Sequence, residues 1–219
     1  MERWATFDCY GTLVDWRAGI GGELARLFGD DRAAALLERY YAIEPDVQAD
    51  GSLRYRDVLA ETLRRVAGEA GLAIPAGEEG ALGRSLPSWP VFPEAAASLA
   101  EARRCGWRLA ILSNSDADLV EASIAAIGVP FDLYVVASEI GSYKPGLRHW
   151  QVFSERSGTT PAGHVHVAQS LFHDIGPASE LGLASVWINR RDEGPGPVPT
   201  RELPDLEALP GTLAELVPA

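Results

Sequence analysis

Basic residues are in short supply in this chain: 19 Lys and Arg stand against 31 Asp and Glu, for a net charge of −12. Nucleic acid and anionic membrane surfaces both require basic patches, so neither is an expected partner. A small anionic substrate stays compatible, because a site can be locally basic on an acidic protein. Cysteine is almost absent. Cys9 and Cys105 alone exclude a disulfide framework and metal-knuckle spacing, and both lie in apolar stretches that read as buried, reduced thiols. No apolar run approaches the length of a membrane span, and no stretch near the N-terminus resembles a signal peptide, so a cytoplasmic location is expected. No internal repeat is visible.

What is present is an ordinary globular composition, 47% apolar and 23% charged over 219 residues. That is enough for one large domain, or a core with a smaller second unit. Trp4 to Phe7 reads as a buried strand. From Asp15 to about Ser85 the pattern is only helical: Ile20 to Phe28, Arg32 to Ile43 and Leu53 to Ala70 carry apolar residues at helical spacing. The stretch Pro87-Ser88-Trp89-Pro90-Val91-Phe92-Pro93 reads as a stiff linker.

After it, short strands and helices alternate. Strands are expected at Trp107 to Leu112, Leu133 to Ala137, Val165 to Ala168 and Ala184 to Ile188. Helices are expected at Glu94 to Arg104, Leu119 to Ile127, Leu147 to Arg156 and Phe172 to Leu181. Leu206 to Leu209 reads as a last edge strand and Thr212 to Leu216 as a short helix. This rhythm implies an α/β fold with a parallel, Rossmann-like sheet. Residues 1–14 and 90–219 would form the core domain, and residues 15–89 an inserted helical cap above the sheet's C-terminal edge, placed as a lid.

Four segments fall at strand C-terminal ends or in the loops beside them, on that edge: Asp8-Cys9-Tyr10-Gly11-Thr12, Ser113-Asn114, Lys144-Pro145 and Gln169 to Asp174. A carboxylate such as Asp8 at such an edge can attack a substrate directly. In order and spacing these segments resemble the motifs of the haloacid dehalogenase superfamily. The resemblance implies that Asp8 is the nucleophile and that Thr12 is the hydroxyl residue of its turn. Ser113 would bind a substrate anion, with Asn114 beside it. Lys144 would hold the nucleophile's carboxylate, and Asp174 would be the acid of the last motif. Read alone, Asp8 and Ser113-Asn114 also suit turns, and Asp174 suits a helix start.

Most members of the superfamily transfer phosphoryl groups and carry a second Asp two places after the first, which protonates the leaving oxygen. Here that place holds Tyr10. General acid help is worth about 10²–10⁴ in rate. Gln169 likewise replaces an acid near the expected Mg²⁺ site and leaves Asp8 and Asp174 as the only candidate metal ligands. Both changes are similar to the 2-haloacid dehalogenase branch, whose first motif reads Asp-x-Tyr-Gly-Thr. That branch implies an early cap arginine holding the departing halide, and Arg39 lies at the matching distance from Asp8. Gln169 and Leu171 depart from the branch, which usually has Ser and Asn there. Trp150 reads either as a pocket residue or as core, and His173 either as a substrate contact or as a buried helix-start histidine.

The expected reaction is hydrolytic dehalogenation of a short 2-haloacid through an ester on Asp8, with no cofactor or metal. Ser113, Asn114, Arg39 and Tyr10 would surround the substrate. Two alternatives stay open: a Mg²⁺-dependent phosphatase using Asp8 and Asp174, and a catalytically weak scaffold used for binding. The dehalogenase branch is often dimeric, so the resemblance also points to a homodimer.

Overall fold

The computed structural model describes residues 2–49, 51 and 53–218. Met1, Asp50, Ser52 and Ala219 belong to the expected core and cap ranges but lie outside the described residues. Strand β1 (Arg3–Phe7) is buried from Trp4 onward, as a strand covered on both faces must be. It is central in a six-stranded sheet of order β3-β2-β1-β4-β5-β6. The other strands are β2 (Trp107–Ser113), β3 (Leu133–Val136), β4 (His164–Ala168), β5 (Ala184–Ile188) and β6 (Arg201–Leu203). Every pairing is parallel. All C-terminal strand ends therefore open on one edge, and the order reverses between β1 and β4. Ligands of open α/β sheets bind in the crevice at such a reversal. Asp8 and Gln169 flank it.

Between residues 15 and 89, the described residues form the helices α1 (Trp16–Phe28), α2 (Asp30–Gln48), α3 (Tyr55–Glu69) and α4 (Ala81–Ser85). Asp15 starts α1 by accepting a 3.0 Å hydrogen bond from the Ala18 N–H, a standard N-cap. The outgoing and returning chains run side by side. The Asp15 N–H donates to the Pro90 carbonyl at 2.7 Å, and the Phe92 N–H donates to the Leu13 carbonyl at 3.0 Å. Arg54 and Arg56 of the insert reach the buried Asp116 at 3.4 and 3.1 Å. The remaining helices are α5 (Ala95–Arg104), α6 (Ala117–Ile127), α7 (Ala137–Ile140), α8 (Arg148–Ser157), α9 (Gly176–Glu180) and α10 (Leu209–Leu216). Among the described residues, no helix is long and apolar enough to cross a membrane.

Several expectations are corrected. The edge strand is Arg201–Leu203 rather than 206–209, because Leu206 and Leu209 are buried and Leu209 opens α10. The proline-rich stretch is more than a linker: Trp89 is buried and Val91 bridges Val14. Cys9 is buried, but Cys105 is exposed at the C-terminus of α5. The expected helix over 172–181 is split into a π-helical turn (Leu171–Ile175) followed by α9.

Trp89 also explains Gly19. A Cβ at Gly19 would lie 2.3 Å from the Trp89 ring, and Trp89 is 4% exposed and has nowhere to swing. Gly19→Ala is expected to lose about 1–3 kcal/mol through overpacking, despite alanine's better helix propensity. Gly22 lies in the same helix with no atom within 4 Å of its Cβ position. Gly22→Ala should therefore gain up to about 1 kcal/mol. Urea unfolding of the two variants checks this contrast.

Candidate active site

The turn after β1 is built to present one carboxylate. The Leu13 and Val14 N–H groups both donate to the Cys9 carbonyl, at 2.8 and 3.0 Å, and the Gly11 N–H donates to the Val14 carbonyl at 2.8 Å. Gly11 sits at φ +98°, where a Cβ would meet Trp16 Nε1 at 3.1 Å and Gln169 Oε1 at 3.3 Å. Only glycine suits that position. The tight turn brings the Thr12 hydroxyl back onto Asp8, donating to Oδ2 at 2.9 Å. The same hydroxyl accepts the Gln169 N–H at 3.0 Å, which ties the ends of β1 and β4 together.

Lys144 occupies the centre of the crevice. Its Nζ donates to Asp8 Oδ1 at 2.9 Å, to Asp174 Oδ1 at 2.7 Å and to the Leu112 carbonyl at 2.8 Å. An ammonium has three N–H donors, and all three are engaged. Lys144 is 2% exposed, with its pKa above the usual lysine value because the two carboxylates outweigh its burial. Burial pushes Asp8 up and Lys144 pulls it back. Asp174 is held low in spite of burial, because it has both Lys144 and His166, whose Nε2 lies 3.0 Å from Oδ1. With His166 neutral, Nε2–H donates to Asp174 and Nδ1 accepts from the Thr6 hydroxyl at 2.8 Å. Thr6 in turn accepts from His164 Nε2 at 2.7 Å. Asp174 Oδ2 is buried and has no protein partner among the described residues.

These groups open on a cavity of about 270 Å³, lined by Asp8, Tyr10, Ser113, Asn114, Lys144 and Asp174 of the expected set. Thr12 stands behind Asp8 and positions it. Tyr10 presents its ring to the cavity, stacked on Tyr55 at 6.0 Å. Its hydroxyl is turned away: Ser123 donates to the Leu119 carbonyl at 3.0 Å and so accepts from Tyr10 at 3.1 Å. Burial holds the phenol well above its ordinary pKa. Tyr10 therefore supplies no proton where phosphoryl-transfer relatives carry an acid. His173 lines the cavity, held by Ser170, whereas Trp150 is core, packed edge-on to His166.

Two expected contacts are not made. Arg39 is exposed and pairs with Glu69 of α3, outside the cavity lining. Asn114 lines the cavity, but both its amide hydrogens are engaged, on the Lys144 carbonyl at 3.0 Å and on Gln48 Oε1 at 3.1 Å. The reason for Arg39 is helical phase. The buried stripe of α2 is Leu36, Tyr40, Ile43, Glu44, Val47 and Gln48. Arg39 lies on one flank of that stripe and Glu44 on the other, about 140° apart at 3.6 residues per turn.

The cap therefore turns an acid and an amide toward the site, Glu44 and Gln48, together with Trp16, Tyr41 and Tyr55. Arg191 and Glu193, after β5, complete the rim. None of these was identified from the sequence. The legible signal was Glu44 and Gln48, one helical turn apart on an otherwise apolar stripe. Gln48 Nε2 donates to Glu44 Oε1 at 3.2 Å. Burial, with no cation to offset it, pushes Glu44 up to about 7.

This shift has a sign. Glu44 has a folded-state pKa raised above its unfolded value of 4.5. Its ionisation destabilises the folded state above pH 7, and the penalty fades as the pH falls toward 4.5. Glu44→Gln is expected to stabilise the protein at pH 8 by on the order of 3 kcal/mol, with the gain vanishing by about pH 4.5. Denaturant unfolding at several pH values measures it.

Comparison with known proteins agrees with this geometry. A family model described as a haloacid dehalogenase-like hydrolase matches residues 3–171. A phosphoserine phosphatase from Thermus thermophilus is 30% identical over 190 residues, spanning 84% of this chain and 76% of its own. The (S)-2-haloacid dehalogenase 4A of Burkholderia cepacia is 26% identical over 221 residues, 99% and 94% of the two chains. The solved structure of the L-2-haloacid dehalogenase from Xanthobacter autotrophicus superposes with a TM-score of 0.85 at 22% identity, over 97% and 98% of the chains. A parallel sheet with a helical insert, a strand-end aspartate bridged by lysine to a second acid, and a family match over more than half its length place this chain among the haloacid dehalogenase-like hydrolases.

Proposed function

We propose that the protein is a hydrolytic dehalogenase of short 2-haloacids that works through an ester on Asp8, with residues 15–89 as its cap and residues 1–14 and 90–219 as its core. The observation that carries this reading is the pairing of an oriented carboxylate with the lack of an acid. Asp8 is aimed by Thr12 and Lys144, and Tyr10 donates its proton to Ser123 instead of to the cavity. A halide leaves as a stable anion and needs no proton, so the lack of an acid at Tyr10 is no handicap for this reaction.

In the first step Asp8 displaces halide from the substrate Cα, forming a carbon–oxygen bond as the carbon–halogen bond breaks. The Ser113 hydroxyl and the backbone N–H groups that the turn after Asp8 leaves free, those of Cys9 and Tyr10, hold the substrate carboxylate. With Arg39 outside and Asn114 engaged, donors in the cavity lining that can receive the halide include Trp16 Nε1, the unpartnered Tyr41 hydroxyl and Arg191, which lies 3.7 Å from Glu193. In the second step water attacks the carbonyl carbon of the Asp8 ester. The buried, unpartnered Oδ2 of Asp174 accepts a hydrogen bond from that water. The 2-hydroxyacid leaves with one of the water's protons, Asp8 is restored as a carboxylate, and one proton is released.

A second reading, a Mg²⁺-dependent phosphatase, is favoured by the phosphoserine phosphatase relative. The donor set offers Mg²⁺, which binds through one or two carboxylates and substrate phosphate, only the oxygens of Asp8 and Asp174 that Lys144 leaves over, and no three acidic, histidine or cysteine side chains converge among the described residues. Asp8 and Asp174 are both bound to the same ammonium. Gln169, in place of a third acid, gives its amide hydrogen to Glu193 at 3.1 Å.

A paired assay separates the two. The dehalogenase reading expects chloride release from 2-chloropropionate that is indifferent to EDTA and falls at least about 10³-fold in Asp8→Asn. Phosphate release from small phosphate esters that requires added Mg²⁺, with no halide release, contradicts it.

A further inference from the structure

The sequence resemblance calls for a cation on the cap side of the cavity, and the fold puts a carboxyl there. Glu44 is 7% exposed and lines the same cavity as Asp8. Among the described residues it has no salt-bridge partner, and Gln48 makes its one side-chain hydrogen bond. The Gln48 amide is itself fixed. Its oxygen accepts from Asn114, which is locked to the backbone of Lys144 by two further hydrogen bonds of 3.0 and 2.6 Å. Gln48 thus directs its N–H₂ to Glu44 Oε1, and Oε2 has no side-chain partner among the described residues.

Glu44 lies close enough to the phenols of Tyr40 of α2, Tyr55 of α3 and Tyr143 before Lys144 to push their pKa values up, and none of the three brings a positive charge. Across the cavity, Lys144 is already shared by two carboxylates, and Arg191 lies 3.7 Å from Glu193. Asp8, Glu44, Asp174 and Glu193 therefore face only Lys144 and Arg191 among the lining charges. A buried carboxylate without a cation is costly. The partner missing from the protein is one a substrate can bring.

We propose that Glu44, oriented by Gln48, selects substrates that carry a hydrogen-bond donor beside the reacting carbon, an ammonium above all. The preferred substrate class is then a short zwitterionic acid, with its carboxylate toward Ser113 and its ammonium on Glu44 Oε2, rather than a plain aliphatic haloacid. This deepens the function proposed above and rests on that reading for the reaction, but not for the recognition.

The test uses ligands with no leaving group, so it does not depend on which bond the enzyme breaks. Calorimetric titration at pH 8 compares 3-aminopropionate with propionate, on the wild-type protein and on Glu44→Gln, whose folding is checked by its melting curve. The wild type is expected to bind the amino acid at least about tenfold more tightly than propionate, and Glu44→Gln to bring that ratio close to one. A ratio near one in the wild type, a preference for propionate, measurable binding of neither acid, or a ratio that survives in Glu44→Gln overturns the proposal. Tenfold selectivity together with a failed chloride-release assay would keep the role of Glu44 and sink only the dehalogenase reading.

Discussion

One ammonium group organises this molecule's chemistry. Lys144 Nζ is buried and donates to two carboxylates and a backbone carbonyl, from three separate parts of the chain. Without it, Asp8 and Asp174 would face each other as like charges in a low-dielectric crevice, and one would take up a proton. With it, Asp174 stays ionised and Asp8 is pulled back toward the charged form that a nucleophile needs. The parallel sheet serves this triad: it delivers Asp8 from β1, the Leu112 carbonyl from β2 and Asp174 from beyond β4 to one edge.

The hydrogen bonds behind the triad are as directed as those within it. Thr12 aims Asp8 while fastening β1 to β4. His166 and Thr6, paired across β4 and β1, support Asp174 from within the sheet. Asn114 joins the Lys144 backbone to Gln48 on the cap, so the seating of α2 and the position of Lys144 are coupled.

The core site was legible because its residues lie in short segments at the ends of strands or in the connections that follow them, where local sequence largely decides position. Asp8, Ser113, Lys144 and Asp174 need only a parallel sheet to meet, and the alternating strand and helix pattern supplied that. The cap's contribution was not legible in the same way. Which flank of α2 faces the crevice depends on how the helix packs against α1 and α3, and a distance from Asp8 counted along the chain contains no phase. Arg39 has the right separation and the wrong rotation, whereas Glu44 and Gln48, five and nine residues on, have the right one. The role of Asn114 was missed for a related reason: its partner Gln48 comes from an element 66 residues away. The edge strand at Arg201–Leu203 escaped because its residues are largely exposed and polar and carry no apolar alternation.

The account turns on whether Asp8 forms a bond to carbon. A single turnover of 2-chloropropionate with excess enzyme in ¹⁸O-water, followed by mass analysis of the peptide containing Asp8, answers this directly. Attack of water on the ester carbonyl puts one ¹⁸O into Asp8 and leaves the first 2-hydroxyacid product unlabelled. Label found in the product and absent from Asp8 would mean that water attacks the substrate itself, and would contradict the account.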